Sequence, residues 1–152
     1  MMKVNRPPER QTQPELEQQL PRRHAVTTRI LIVEDSEAFG QSLCSALRKR
    51  RYECVWVTDG FQAVQAMMSS PASVVLMDLM LPHMNGTAAT RQIRWENPIV
   101  PIIGMSAVQD PTMVADFMAA GGTAFLDKRR VVPGLFELLD SLLGEDHQTP
   151  GD

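Results

Sequence analysis

The stretch that decides the fold is Val74-Val75-Leu76-Met77-Asp78-Leu79-Met80-Leu81-Pro82, near the middle of the chain. Its apolar run is typical of a strand buried on both faces, as in a parallel sheet. The run ends at one acidic residue, and Pro82 bounds the turn that follows. Functional groups of open parallel sheets gather beyond the carboxyl ends of the strands. Asp78 is therefore predicted to be a crevice carboxylate, able to bind a metal, act as a base or act as a nucleophile.

Outward from this strand, apolar runs alternate with helical patterns. The strands are predicted at Arg29–Glu34, Tyr52–Val57, Ser73–Met77, Pro101–Met105 and Thr123–Leu126. The pattern predicts a helix after each strand, and the fifth helix spans Pro133–Leu143. Five such units with short connections predict an α/β fold, a parallel sheet with helices on both faces.

Local signals place the ends and inner faces of these helices. Ser36, Asn85-Gly86 and Asp110-Pro111 are read as the starts of the first, third and fourth helices. Asp59-Gly60 is read as a turn, and Gly121-Gly122 as the end of the fourth helix. On the third helix, Trp95 is expected to face inward together with Ala89 and Ile93.

Composition limits the class of protein. The 152 residues are 43% hydrophobic with a net charge of −3, which indicates a single globular domain. A basic nucleic-acid binder, a membrane span and a secretory signal are not expected. The basic run Arg48–Arg51 is interpreted as a solvated helix end. Cys44 and Cys54 are expected to be buried, reduced thiols, consistent with the cytoplasm.

The two ends of the chain differ from its centre. Residues 1–28 are rich in proline, glutamine and arginine, and residues 146–152 are polar, so both are predicted to be flexible tails. The domain is expected over residues 29–145. No room for an output domain is seen after the fifth helix, so the chain is expected to act alone or to be a fragment.

Polar residues follow four of the five predicted strands. Glu34-Asp35 follows the first, Asp78 the third, Ser106 the fourth and Lys128 the fifth. Three carboxylates in one crevice repel one another, and a divalent cation relieves that repulsion. Mg²⁺ prefers oxygen ligands, which Asp35, Asp78 and the backbone carbonyl of Met80 could supply. Asp78 could then attack phosphorus, with Lys128 and Ser106 binding phosphoryl oxygens.

This set resembles the receiver domain of two-component response regulators. The resemblance rests on Glu34-Asp35, on Met77–Pro82 with Asn85-Gly86, on Ser106-Ala107 and on Lys128. It implies a flavodoxin-like (βα)5 fold with strand order 2-1-3-4-5. It also implies that Asp78 accepts a phosphoryl group from a phosphohistidine, on a sensor histidine kinase or a phosphotransfer protein. Asp35 would be the main Mg²⁺ ligand of the acidic pair, and Glu34 would act through a coordinated water.

The resemblance also implies a switch. Ser106 and Phe125 match the hydroxyl and aromatic positions that move on phosphorylation and change the surface of helix four, strand five and helix five. A downstream protein is the expected target of that surface, which would also serve any homodimer; direct contact with nucleic acid or membrane is not expected. The family usually has proline after the lysine, but Arg129 stands here. A trans bond is therefore predicted at Lys128–Arg129, with an altered loop.

Two other functions compete with that of a phosphorylated receiver. One is a receiver-like interaction module that works without phosphorylation, because the loop after Lys128 is changed. The other is a phosphohydrolase with an aspartyl-phosphate intermediate, which typically needs an acid two residues after the nucleophile. That position holds Met80. The chain is therefore predicted to be a signalling domain and not a turnover enzyme.

Overall fold

The computed structural model describes residues 27–144 and contains a five-stranded parallel sheet in the order β2-β1-β3-β4-β5. The strands are β1 (Arg29–Val33), β2 (Glu53–Val57), β3 (Val74–Asp78), β4 (Ile102–Ser106) and β5 (Ala124–Asp127). The helices are α1 (Glu37–Lys49), α2 (Gly60–Ser69), α3 (Gly86–Glu96), α4 (Pro111–Ala119) and α5 (Val131–Leu143). A short 3-10 helix, Lys128–Arg130, connects β5 to α5. The predicted fold class and strand order are confirmed.

The helices divide between the two faces of the sheet. One face carries α2, α3 and α4, which pack Met67, Ile93 and Phe117 against the sheet. The other carries α1 and α5, with Leu47 and Leu135 in its core. The central strand β3 is buried along its whole length, which explains its unbroken apolar run. The two tails predicted at residues 1–28 and 146–152 lie almost wholly outside the described residues.

Side-chain caps begin the helices where the sequence indicated. The side chains of Ser36, Asn85 and Asp110 accept hydrogen bonds from backbone N–H groups in the first turns of α1, α3 and α4. The prediction for Asp59-Gly60 was wrong. Asp59 caps α2 by accepting from the N–H of Gln62, and Gly60 is the first residue of that helix.

Three strands end later than predicted, and their last residues are Asp78, Ser106 and Asp127. The ladder continues that far because Ser106 pairs with Asp127 and Asp78 with Met105. Helix α5 begins two residues before Pro133, since a proline is tolerated in the first turn, where its N–H would have no partner.

Burial corrects two further expectations. Trp95 is 87% exposed, because it lies two residues after the buried Ile93 and so on a different face of α3. Cys44 is buried but Cys54 is only half-buried, and both are free thiols. Burial, with the neighbouring Cys44 thiol, raises the pKa of Cys54.

Phe117 of α4 determines which residues fit beneath it. A Cβ atom on Gly104 would lie 2.7 Å from the Phe117 ring, and one on Gly122 would lie 2.3 Å from it. The fully buried ring therefore needs glycine both in β4 and in the connection to β5.

Candidate functional site

Asp78 lies at the carboxyl end of the central strand and is almost fully buried, with 2% exposure. Its Oδ1 accepts a hydrogen bond of 3.0 Å from the backbone N–H of Met80, and its Oδ2 lies 3.4 Å from Lys128 Nζ. The turn after Asp78 packs tightly against the start of α3. A Cβ atom on Gly86 would lie 2.2 Å from the carbonyl oxygen of Asp78, so only glycine fits there.

Lys128 joins the site from the fifth strand end. Its Nζ lies 2.8 Å from Glu34 Oε2, closer than to Asp78, and 4.6 Å from the centre of the Phe39 ring. Burial disfavours the charged ammonium. The hydrogen bond to Glu34 and the charge of Asp78 outweigh that effect, and the pKa of Lys128 lies above its usual value. The lysine is therefore a fixed cation between two carboxylates.

Glu34 is fully buried beside this lysine. Its Oε1 accepts a 3.0 Å hydrogen bond from the backbone N–H of Ser36, and its carbonyl oxygen accepts one of 2.8 Å from Trp56 Nε1. Burial raises the pKa of Glu34 above its usual value, although Lys128 and the Ser36 N–H act in the opposite direction. Glu34 thus contacts Lys128 directly, an arrangement that the sequence did not indicate.

The carboxylates of Glu34, Asp35 and Asp78 form a cluster, with one oxygen of each within 4.8 Å of the others. Two are buried, and Asp35 is exposed at the mouth of the crevice. One ammonium does not balance three carboxylates, and all of the donor atoms are oxygens. This donor set fits a hard divalent cation such as Mg²⁺, which binds through a few carboxylates and retains several waters.

The other predicted site residues occupy the same end of the sheet. Ser106 is fully buried at the end of β4, and its Oγ accepts a 3.1 Å hydrogen bond from the N–H of Val108. Met80, two residues after Asp78, is 59% exposed. Phe125 pairs with Gly104 in the sheet and is half-buried against the core under α4.

Sequence reasoning missed two groups of contacts. Phe39 of α1 is partly buried against the core, and its ring also lies beside Lys128, a contact that the sequence does not indicate. Asp127 was not considered, although it precedes Lys128 and ends β5, as Asp78 ends β3. Its position at a strand end was the signal that could have indicated it. In the structure it binds Arg129 and Gln109.

The fold and this acidic crevice define a doubly wound α/β domain with a carboxylate and a lysine at its carboxyl edge. The model of the response regulator receiver domain matches residues 30–140, and the chain belongs to that family. The bond between Lys128 and Arg129 is trans, as predicted, since residues 27–144 contain no cis peptide bond.

Several proteins of known description are similar to the chain. The sensory transduction protein RegX3 of Mycobacterium tuberculosis is 42% identical over 80 residues, which are 53% of this chain and 35% of RegX3. The CAI-1 autoinducer sensor kinase/phosphatase CqsS of Vibrio cholerae is 33% identical over 103 residues, which are 66% of this chain and 15% of CqsS. The chain thus spans only a minor part of these relatives.

Solved structures agree on the fold. The receiver domain of the sensor histidine kinase PA1611 from Pseudomonas aeruginosa, solved with a magnesium ion in its active-site cleft, is 31% identical with a TM-score of 0.71. The match covers 78% of this chain and 99% of that one. The chemotaxis protein CheY4 of Vibrio cholerae is 23% identical with a TM-score of 0.72, and the match covers 76% and 98% of the two chains. None of the helices in residues 27–144 is long and apolar enough to span a membrane.

Proposed function

We propose that the chain is a phosphorylation-controlled switch in which Asp78 accepts a phosphoryl group from a phosphohistidine on a sensor histidine kinase or a phosphotransfer protein. One observation carries the proposal: three carboxylates lie within 4.8 Å of one another, with Lys128 Nζ 3.4 Å from Asp78. The family membership and the relative CqsS, a sensor kinase/phosphatase, support a kinase as the donor. We place this reaction in the cytoplasm.

The residues divide the chemistry among them. A carboxylate oxygen of Asp78 attacks phosphorus, the P–N bond breaks and the imidazole leaves with its electron pair. Asp35, Asp78, the carbonyl of Met80 and, through a water, Glu34 would hold Mg²⁺, which neutralises charge on the phosphoryl oxygens when bound. Lys128 would turn from Asp78 toward a phosphoryl oxygen.

The readout involves Ser106 and Phe125. The Ser106 hydroxyl accepts from Val108 and keeps its own proton for a phosphoryl oxygen. Its movement would shift the β4–α4 loop and let the half-buried Phe125 ring pack further inward. The surface formed by α4, β5 and α5 would then favour a downstream protein or a second copy of the chain, as a shift between two packings.

Incubation with acetyl phosphate and Mg²⁺ tests the reaction. Intact-protein mass spectrometry should show one added phosphoryl group, and Asp78→Asn should abolish it because the amide is not a nucleophile. Asp116→Asn, which changes an exposed carboxyl on α4, is the matched control and should label normally. Label retained by Asp78→Asn would refute the assignment. No label on the wild-type protein, from acetyl phosphate or from a panel of kinases, would favour the phosphorylation-independent module.

Mg²⁺ binding has a built-in reporter in Trp56, whose indole donates to the Glu34 carbonyl. The other tryptophan of the chain is Trp95, so Trp95→Phe leaves Trp56 as the single tryptophan. In that background, Asp35→Ala should weaken Mg²⁺ binding at least about tenfold, as loss of a carboxylate ligand does. Asp116→Ala should leave the titration unchanged. An unchanged titration for Asp35→Ala would remove Asp35 from the ligand set.

A further inference from the structure

Asp127 is the centre of a network beside the candidate site. Its Oδ1 accepts hydrogen bonds from the backbone N–H of Arg129, at 2.9 Å, and from Arg129 Nε, at 3.0 Å. Its Oδ2 accepts from Arg129 Nη2 and from Gln109 Nε2, both at 2.8 Å. These bonds to a charged acceptor are short and directional, so they restrict the residues on either side of Lys128.

The network joins the two loops that carry the phosphoryl-binding residues. Asp127 precedes Lys128 directly, and Gln109 lies three residues after Ser106 in the β4–α4 loop. Ser106 and Asp127 are also paired across the ends of β4 and β5. The Asp127 carboxylate therefore links the two loops through its hydrogen bonds to Gln109 and Arg129.

The residue at position 129 makes this network available. A proline there would have no N–H to donate to Asp127 and no guanidinium to pair with it. Arg129 supplies both, and its backbone N–H donates to the Asp127 side chain, which caps the 3-10 helix that begins at Lys128. The change from the usual proline thus replaces a covalent restriction of the loop with a set of hydrogen bonds.

We propose that Asp127 is a positioning residue that holds the Lys128 loop to the Ser106 loop, so that both side chains reach a phosphoryl group on Asp78 together. The proposal rests on the proposed function of Asp78. Asp127 acts through Arg129 and Gln109 and contacts neither the carboxylate cluster nor the phosphoryl group itself.

Beryllofluoride, which mimics a phosphoryl group on a carboxylate, tests the proposal through Trp56 fluorescence in the Trp95→Phe background. Asp127→Ala should weaken beryllofluoride binding about tenfold, as loss of a supporting hydrogen-bond partner does, and should leave the affinity for Mg²⁺ alone unchanged. Asp127→Asn, which keeps an acceptor oxygen, should recover part of the loss. Glu137→Ala, which changes an exposed carboxylate two turns into α5, is the matched control.

Coupling is tested by combining Asp127→Ala with Gln109→Ala. Because Gln109 acts through Asp127, the double variant should bind beryllofluoride no more weakly than Asp127→Ala. Additive losses, wild-type binding by Asp127→Ala, or a parallel loss of Mg²⁺ affinity would each overturn the proposal.

Hydrogen–deuterium exchange without any phosphoryl analogue separates this proposal from the proposed function. Asp127→Ala should accelerate amide exchange in both loops, residues 107–110 and 128–130, with no change in the strands. If wild type binds no beryllofluoride, the proposed function fails, and the exchange data alone decide the network. Faster exchange in one loop only, or in neither, would overturn it.

Discussion

The turn after β3 and the turn after β5 lie at the same edge of the sheet but are held by different forces. The β3 turn is fixed by shape, because Gly86 of α3 packs against the backbone of Asp78 with no room for a Cβ atom. The β5 turn is fixed by charge, through Lys128 inside the crevice and Arg129 outside it. Asp78 is therefore positioned by close backbone packing, whereas Lys128 lies on a loop that is held by side-chain charges.

The strongest test of the comparison is Gly86→Ala. The new Cβ would overlap the Asp78 carbonyl oxygen, so the turn must move, and the free energy of unfolding should fall by about 3 kcal/mol. Urea denaturation measures this loss, and the proposed phosphorylation of Asp78 should fall with it. Gly134→Ala in α5, where the nearest side-chain atom is at 3.4 Å, is the matched control and should not destabilise. Equal stability of the two variants would disprove the tight packing.

Lys128→Ala tests the inner charge of the β5 turn. It leaves the buried Glu34 carboxylate without its cation, and the free energy of unfolding at pH 7 should fall by about 2 kcal/mol, less than for a fully buried pair. The pKa of Glu34 is raised in the folded state relative to its usual value. Protonation of Glu34 therefore stabilises the folded state at low pH, and this stabilisation is lost as the pH rises. Without Lys128 this pKa rises further.

The loss caused by Lys128→Ala should therefore be larger at pH 7 than at pH 4, because the raised pKa of Glu34 favours its protonated form as the pH falls. Urea denaturation at the two pH values measures the difference. Lys49→Ala, which removes an exposed lysine of α1, should show no such pH dependence. A loss of equal size at both pH values would argue that Lys128 stabilises by packing and not by its charge.

Arg129→Gln should have the smallest effect on stability. Arg129 is 65% exposed, so water and salt screen its pair with Asp127, although the pKa of that carboxyl is well below its usual range. Any shift in the urea midpoint should disappear near 1 M NaCl, where screening acts over about 3 Å. Arg130→Gln is the adjacent exposed control. A salt-independent loss as large as that of Lys128→Ala would remove the contrast between the inner and outer charges.

Much of the fold could be predicted because its signals are local. The buried run at Val74–Met77 and the caps Ser36, Asn85 and Asp110 depend on neighbours within a few residues, and the structure places these elements as expected. The strand order came from the resemblance, since a single sequence does not state which strands pair. Trp95 was misplaced because it lies two residues after the buried Ile93, and residues with that spacing face different sides of a helix.

Less of the site could be predicted, because its geometry depends on contacts between distant segments. Strand ends brought Glu34, Asp35, Asp78 and Lys128 together as expected. Lys128 lies nearer to Glu34 than to Asp78 and beside the Phe39 ring, and these contacts join segments far apart in the sequence, which does not reveal them. The hydrogen bond between Asp127 and Gln109 joins residues 18 positions apart, so it too could not be predicted from the sequence.

The packing of the Phe117 ring over Gly104 and Gly122 limits the substitutions that this part of the core accepts. Substitutions at positions 104, 117 and 122 are therefore coupled, since a larger residue at either glycine requires a smaller one at position 117. Gly104 is also the partner of Phe125 and lies two residues before Ser106. Variants that exchange volume among these positions would therefore alter the room available to the Phe125 ring without touching any charged residue of the crevice.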